Sequence, residues 1–194
     1  LLSIRGYRQR MHAVRSNVLQ DEDCARFFAL LQHAKRPLIY SGGGVINGDA
    51  SDLLREFADR YGIPVATTLM GIGAYDTMAQ HSLKMLGMHG TAYANYAVED
   101  CDMVIAIGAR FDDRVAAVPE QFAPNAKCVA HFDVDPSEIG KVKSVDWHHV
   151  GILRNDLQAI LSYGARLKIA TDYTAWHREL EALKQQYALN YDRD

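Results

Sequence analysis

The chain has 194 residues, 48% hydrophobic and 23% charged, with a formal net charge of −3. This is the balance of an ordinary globular fold, and it leaves no electrostatic footprint for nucleic acid or an anionic membrane. A chain of this length buries roughly 70% of its unfolded surface, enough for one α/β domain with extra terminal segments. Cys24, Cys101 and Cys128 are odd in number, far apart and without a CxxC spacing. That speaks against a disulfide framework or a zinc site, and for a reducing compartment, the cytoplasm. No apolar run approaches the roughly 18 residues of a membrane span, and no signal peptide is visible. The first residue is Leu1, which suggests a piece of something longer.

Residues 1–20 carry Arg5, Arg8, Arg10 and Arg15 without a clear apolar face, and read as a linker or an extended segment on a neighbour. Asp21 or Asp23 can cap a helix whose Phe27, Phe28, Leu31 and Ala34 recur at helical spacing, ending before Pro37. A short strand over 37–40 then runs into Ser41-Gly42-Gly43-Gly44. Strand, glycine turn and helix open a nucleotide-binding α/β unit. The next helix places Leu53, Leu54, Phe57, Ala58 and Tyr61 on one side, and Gly62 suits its C-cap. A second strand reads over 63–70, breaking at Gly71 and Gly73, and it ends in threonines where a dinucleotide fold of the NAD type wants an acid.

A short third strand over 83–87 ends in Gly87-Met88-His89-Gly90, and 92–100 reads as a helix. Met103, Val104, Ile105, Ala106 and Ile107 read as a fourth strand buried on both faces. Gly108 lets the chain turn, and Arg110, Asp112, Asp113 and Arg114 follow at once. A charged loop beyond the carboxyl end of a parallel strand is where open α/β sheets bind ligands. A fifth strand over 127–132 ends at Asp133-Val134-Asp135-Pro136. A sixth reads over 150–153, with Leu157, Ile160 and Leu161 marking a helix after it. Trp176, Leu180, Leu183 and Tyr187 form an amphipathic helix that looks appended. The sum is a doubly wound, six-stranded parallel sheet of the Rossmann-like NAD/FAD-binding type. The corresponding boundaries are a linker over 1–20, a central domain over 21–165, and a C-terminal helix and linker over 166–194.

For chemistry, Gly42 to Gly44 offer bare backbone that can approach a pyrophosphate and present N–H groups at a helix start, although GGGxxxG departs from GxGxxG and also suits a plain tight turn. Four glycine or acidic turns after strands of one sheet favour a long ligand such as a dinucleotide. Arg110 and Arg114 can clamp phosphate or carboxylate, or pair with Asp112 and Asp113. Neighbouring carboxylates point in different directions, so Asp112 and Asp113 make a poor acid/base dyad. His89, between glycines, can stack or donate. No metal-ligand spacing, Ser-His-Asp arrangement or GxSxG occurs, and Cys128 inside an apolar strand is an implausible nucleophile.

The segments Thr67-Thr68-Leu69-Met70-Gly71, Leu86-Gly87-Met88-His89-Gly90-Thr91-Ala92-Tyr93-Ala94-Asn95, Gly108-Ala109-Arg110-Phe111-Asp112-Asp113-Arg114-Val115 and Asp133-Val134-Asp135-Pro136-Ser137-Glu138-Ile139-Gly140-Lys141 together resemble the central domain of acetohydroxyacid synthase (acetolactate synthase) catalytic subunits. The resemblance covers about residues 21–190. It implies FAD contacts at Gly42, Gly43, Gly44, Thr68, Leu69, Gly87, Met88, His89, Gly108, Arg110, Asp112, Asp133 and Val134. It also implies that Met88, Asp113 and Arg114 face a substrate channel. Arg154-Asn155 stands where the family often has a Gly-Asp pair.

The chain lacks the GDG signature for thiamine diphosphate and magnesium, so the resemblance implies that those cofactors and the catalytic glutamate belong to N- and C-terminal domains of the same polypeptide. The chain alone would then be inactive and bind no metal. The full-length family protein would be a homodimer or tetramer, with a regulatory subunit as a further partner. The rival readings are the middle domain of another thiamine-dependent carboligase or decarboxylase, such as glyoxylate carboligase, and a non-catalytic assembly module with a vestigial nucleotide pocket.

Overall fold

A computed structural model describes residues 6–111 and 121–188. The elements are α1 (Tyr7–Ser16), α2 (Asp21–His33), β1 (Pro37–Ser41), α3 (Gly43–Asn47), α4 (Ser51–Tyr61), β2 (Val65–Thr67), β3 (Ser82–Met85), α5 (Ala92–Asp100), β4 (Met103–Ile107), β5 (Cys128–Asp133), β6 (Trp147–Val150), α6 (Leu153–Arg166) and α7 (Thr174–Gln186). The strands form one sheet in the order β3-β2-β1-β4-β5-β6, every pairing parallel. This is the expected doubly wound architecture. Every residue of β1 and β4 is buried, as the unbroken apolar runs require of strands covered on both faces. The chain builds outward from β1 to β3, then returns to lay β4 on the other side of β1. The strand order therefore reverses between β1 and β4, where such sheets open a crevice at their carboxyl ends.

The helices cover the sheet through aromatic contacts. Phe27 of α2 lies against Phe132 and Trp147 of the sheet and Phe57 of α4, with ring centroids 5.2 to 6.0 Å apart. Phe28 meets Tyr61 of α4 and Tyr163 of α6. Each such pair contributes roughly 0.5–1.5 kcal/mol beyond its area burial. Among the described residues, no helix is long and apolar enough to cross a membrane.

Several local expectations shift. The segment read as linker or extended chain is helical over Tyr7–Ser16. It is tied down where Val14 is buried and Asn17 Nδ2 donates to Val150 O at 2.8 Å. Gln20, not Asp21 or Asp23, is the N-cap of α2; the acids fill the first turn, where they oppose the positive end of the helix dipole. The second strand is only Val65–Thr67, because Thr68 Oγ1 accepts from Gly71 N and winds Leu69–Gly71 into a 3₁₀ turn. The sixth strand lies earlier than expected: Trp147 pairs in register with Ala130, and Leu153 already opens α6. The polar alternation of His148 and His149 concealed it.

Nor is α7 an appendage. Trp176 and Leu180 are buried. The Trp176 indole donates to Pro37 O at 3.1 Å, Tyr173 OH donates to Leu31 O at 2.8 Å, and Arg36 pairs with Glu179. The helix closes the edge of the sheet at which β1 and β2 begin.

Candidate functional site

The loops that follow β3, β2, β1, β4 and β5 lie side by side along the carboxyl edge. At about 4.8 Å per strand they make a shelf about 20 Å long. Its centre is the β1/β4 crevice. Gly42 N donates to Ile107 O at 3.0 Å and Gly44 N to Gly108 O at 2.9 Å. A Cβ on Gly42 would stand 2.2 Å from Gly108 O, and one on Gly44 would stand 2.7 Å from Gly108 Cα. Gly108 itself has φ +55, in the left-handed region.

Two of the three glycines are thus fixed by packing, and their N–H groups are already used. Only Gly43 of the triplet donates to no described residue. Of the N–H groups that the triplet presents at the start of α3, that of Gly43 remains for a ligand. Beneath it, Ser41 Oγ is fully buried with no hydrogen-bond partner.

To one side, Leu69 and Met70 project from the 3₁₀ turn, 63% and 75% exposed, and Met88 projects from the next loop at 85%. Large apolar side chains this bare, on neighbouring loops, invite a flat apolar ligand or a second protein surface. The Gly87–Gly90 loop is held by α5. Asn95 Oδ1 accepts from Gly87 N at 2.8 Å, and Asn95 Nδ2 donates to Gly87 O at 3.1 Å. Thr91 caps α5 by accepting from Ala94 N and donates to Leu83 O. Thr91→Ala removes both bonds from a buried site, so a loss of about 1–2 kcal/mol in urea unfolding is expected. His89 is exposed at the tip.

On the other side, the exposed Arg110 makes no ion pair among the described residues, and its carbonyl accepts from Tyr40 OH at 2.8 Å. Asp133 is buried. One of its oxygens accepts from Asp135 N, and the other lies 3.6 Å from His131 Nε2. That nitrogen is also 3.0 Å from Ala109 O, which can only accept, so Nε2 carries the proton. Val134 is exposed beside Asp133. A groove of about 670 Å³ runs between α1 and this loop, lined by Met11, Val14, Asn17, Val134, Pro136 and Val150. Asp112, Asp113 and Arg114 lie outside the described residues.

Sequence reasoning missed the bracketing by Asn95, the unpartnered Ser41 and the buried His131. Nothing in a linear sequence ties Asn95 to a backbone eight residues earlier. Burial pushes the Cys128 thiol up to about 11, far from a thiolate nucleophile. Among the described residues no group of three or more His, Cys, Asp or Glu could hold a metal ion. Arg154 makes a two-pronged ion pair with Asp52, joining α6 to α4.

Residues 24–160 match the family model described as thiamine pyrophosphate enzyme, central domain. The chain is 46% identical over 169 residues to an acetolactate synthase large subunit of Parasynechococcus marenigrum (strain WH8102), covering 87% of this chain and 27% of that protein. It is 41% identical over 193 residues to a chloroplastic acetolactate synthase of Arabidopsis thaliana, covering 98% of this chain and 28% of that protein. The chain therefore spans little more than a quarter of the length of these relatives. Because the matched span takes in all six strands and every loop of the carboxyl edge, the chain belongs to the thiamine pyrophosphate enzyme family, as a central domain.

Proposed function

We propose that this domain binds FAD along its carboxyl edge, within a longer acetohydroxyacid synthase polypeptide. That enzyme would condense two 2-ketoacids, with decarboxylation, to acetolactate or acetohydroxybutyrate for branched-chain amino acid synthesis. The observation that carries the reading is the crevice where the strand order reverses, with Gly42, Gly44 and Gly108 in backbone contact and bare Leu69, Met70 and Met88 beside it. The residues fit the group: Gly43 N–H and Arg110 would face its phosphates, Thr68, Leu69, Gly87, Met88 and His89 its ring system, and Asp133 and Val134 its nucleoside end. Asp112 would join Arg110, while Asp113 and Arg114, with Met88, would line a channel in which the arginine recognises a ketoacid carboxylate. FAD takes no net redox part in the carboligation.

Thiamine diphosphate, Mg²⁺ and the catalytic glutamate would come from N- and C-terminal domains of the same polypeptide. The remaining proposals are a central domain bounded at 21–165 between terminal linkers, a homodimer or tetramer, a regulatory subunit as partner, and a cytoplasmic location. The free thiols Cys24, Cys101 and Cys128 suit a reducing compartment. FAD, NAD and ADP, added separately while the melting temperature and visible spectrum are followed, test the reading. FAD is expected to raise the melting temperature and acquire a perturbed flavin band. Stabilisation by NAD alone would overturn the proposal, and indifference to all three would favour a pure assembly module.

A further inference from the structure

The opposite edge of the sheet, where β2 and β3 begin, has its own unusual corner. There α7 leaves two hollows flanking the Lys184 side chain. One, of about 260 Å³, is lined by His81, His177, Arg178, Glu181 and Lys184 over a floor of Leu83 and Leu180. The other, of about 300 Å³, is lined by Lys84 and Lys184 with Thr77 and Ser82.

Charge here is lopsided. Arg36, Arg60, Lys141, Arg154 and Arg166 each pair with a carboxylate, but Lys84, Arg178 and Lys184 form no ion pair among the described residues. Lys184 is half-buried, and its ammonium, with three donors, has one hydrogen bond, to Gln80 O at 3.2 Å. His177 Nε2 donates to Gly62 O at 2.8 Å, and its ring lies over that of His81 with centroids 4.8 Å apart.

Three carboxylates offset part of this charge from beyond ion-pair distance: Glu181 acts on Lys184, Asp59 on His81 and Asp172 on Arg178, while each also accepts a hydrogen bond from a neutral donor. Burial first, then His177 and Lys184, hold the His81 imidazole below its ordinary value; burial first, then Lys84, does the same to the Lys184 ammonium. Lys84 is also held at φ 63, a conformation that side-chain-bearing residues rarely adopt and that needs its surroundings to hold it.

We propose that this corner is an anion site, taking a phosphate or diphosphate group between His81, His177, Arg178 and Lys184, with Lys84 at its far end. An arginine fork and a lysine point charge are the usual pair of phosphate donors, and the histidines add N–H groups when charged. Each hollow is at or below the small end of ligand pockets, about 300–1,000 Å³, so the group that fits is phosphate-sized and not a whole nucleotide in either hollow. The site precedes the strands, whereas the proposed flavin shelf follows them, so the two proposals stand or fall separately.

The test is to titrate the protein with inorganic phosphate, and separately with pyrophosphate, at constant ionic strength, reading the imidazole NMR signals of His81 and His177. Saturable shifts of both signals and a rise in the His81 titration midpoint are expected. Arg178→Gln, at an exposed position, and Lys184→Met, which keeps the apolar stem, should each weaken binding about tenfold. Tighter binding of pyrophosphate than phosphate assigns a diphosphate across both hollows, and equal affinities assign a single phosphate. No saturable shift, an equal response to chloride, or binding that survives both substitutions together would overturn the site.

Discussion

Gly42→Ala is expected to destabilise the domain by about 3 kcal/mol or more and to abolish any response to FAD. The added methyl would stand 2.2 Å from Gly108 O and 2.5 Å from Ala109 Cα, and both are backbone atoms that no rotamer change can move. Relief requires β1 and β4 to part at their carboxyl ends, which breaks the Gly42–Ile107 and Gly44–Gly108 hydrogen bonds together. The matched control is Gly140→Ala. Gly140 has φ +69, but nothing lies within 4 Å of an added Cβ, so conformational strain alone applies, about 1 kcal/mol. Urea unfolding of both variants separates a crevice closed by backbone contact from a merely flexible loop. Equal losses in the two would mean that the glycine triplet is not packed as described.

Asp156→Ala should cost about 1–3 kcal/mol, the usual result of leaving the buried partner of a charge-assisted hydrogen bond unsatisfied. Asp156 is 1% exposed in the first turn of α6, and its Oδ1 is 3.3 Å from Nε2 of His149, itself 6% exposed. The same nitrogen is 3.3 Å from Asn17 O, and the second Asp156 oxygen is buried without a partner. Loss of the carboxylate leaves the imidazole without its counter-charge and loosens the attachment of α1.

The pair also sets a pH dependence. Burial raises the Asp156 carboxyl, with His149 opposing. His149 is raised on balance: burial works against its charge, but the Asp156 carboxylate, the Asn17 carbonyl and Asp23 outweigh it. Both folded-state values exceed the unfolded ones, so the native state holds protons more tightly. The His149 contribution is then fully present below its unfolded value of about 6.5 and is lost as pH rises through the folded value. The Asp156 contribution has the same sign, present below about 3.9 and lost on the way up. The His149 share of the unfolding free energy should therefore fall as pH rises from about 6 toward 8, against the opposite slope of His81, which is held below its ordinary value, and His149→Gln should remove that share. A slope unchanged in the variant would remove the pair from the account.

Much of this was readable in advance, for identifiable reasons. β1 and β4 announced themselves because strands covered on both faces need unbroken apolar runs, and the glycine after each marked the turn. The fold class followed from alternation of strand and helix. β6 was misplaced because it sits at the edge of the sheet, where His148 is free to be polar. α1 was missed because a short helix anchored by Val14 and Asn17 shows no apolar stripe.

At the site, positions were legible and roles were not. The sequence placed Gly42, Gly44 and Gly108 at strand ends, but only the fold shows that they pack on one another rather than all pointing to a ligand. Asp133, an acidic turn at a strand end in the sequence, is buried beside His131 and accepts from Asp135 N of its own loop.

The way α7 and β6 tie back to the start of the chain has a kinetic consequence. Trp176 reaches Pro37 across 139 residues, Tyr173 reaches Leu31 across 142, and Asn17 reaches Val150 across 133. Contacts so distant along the chain cannot form locally, and loop closure of this size slows folding. As the polypeptide leaves the ribosome, β1 waits for β4 to become a central strand, and α2 and β1 wait for α7 to be sealed. Until about residue 180 has emerged, the apolar edge of β1 and β2 stands open, which makes this interval the domain's period of greatest exposure to aggregation.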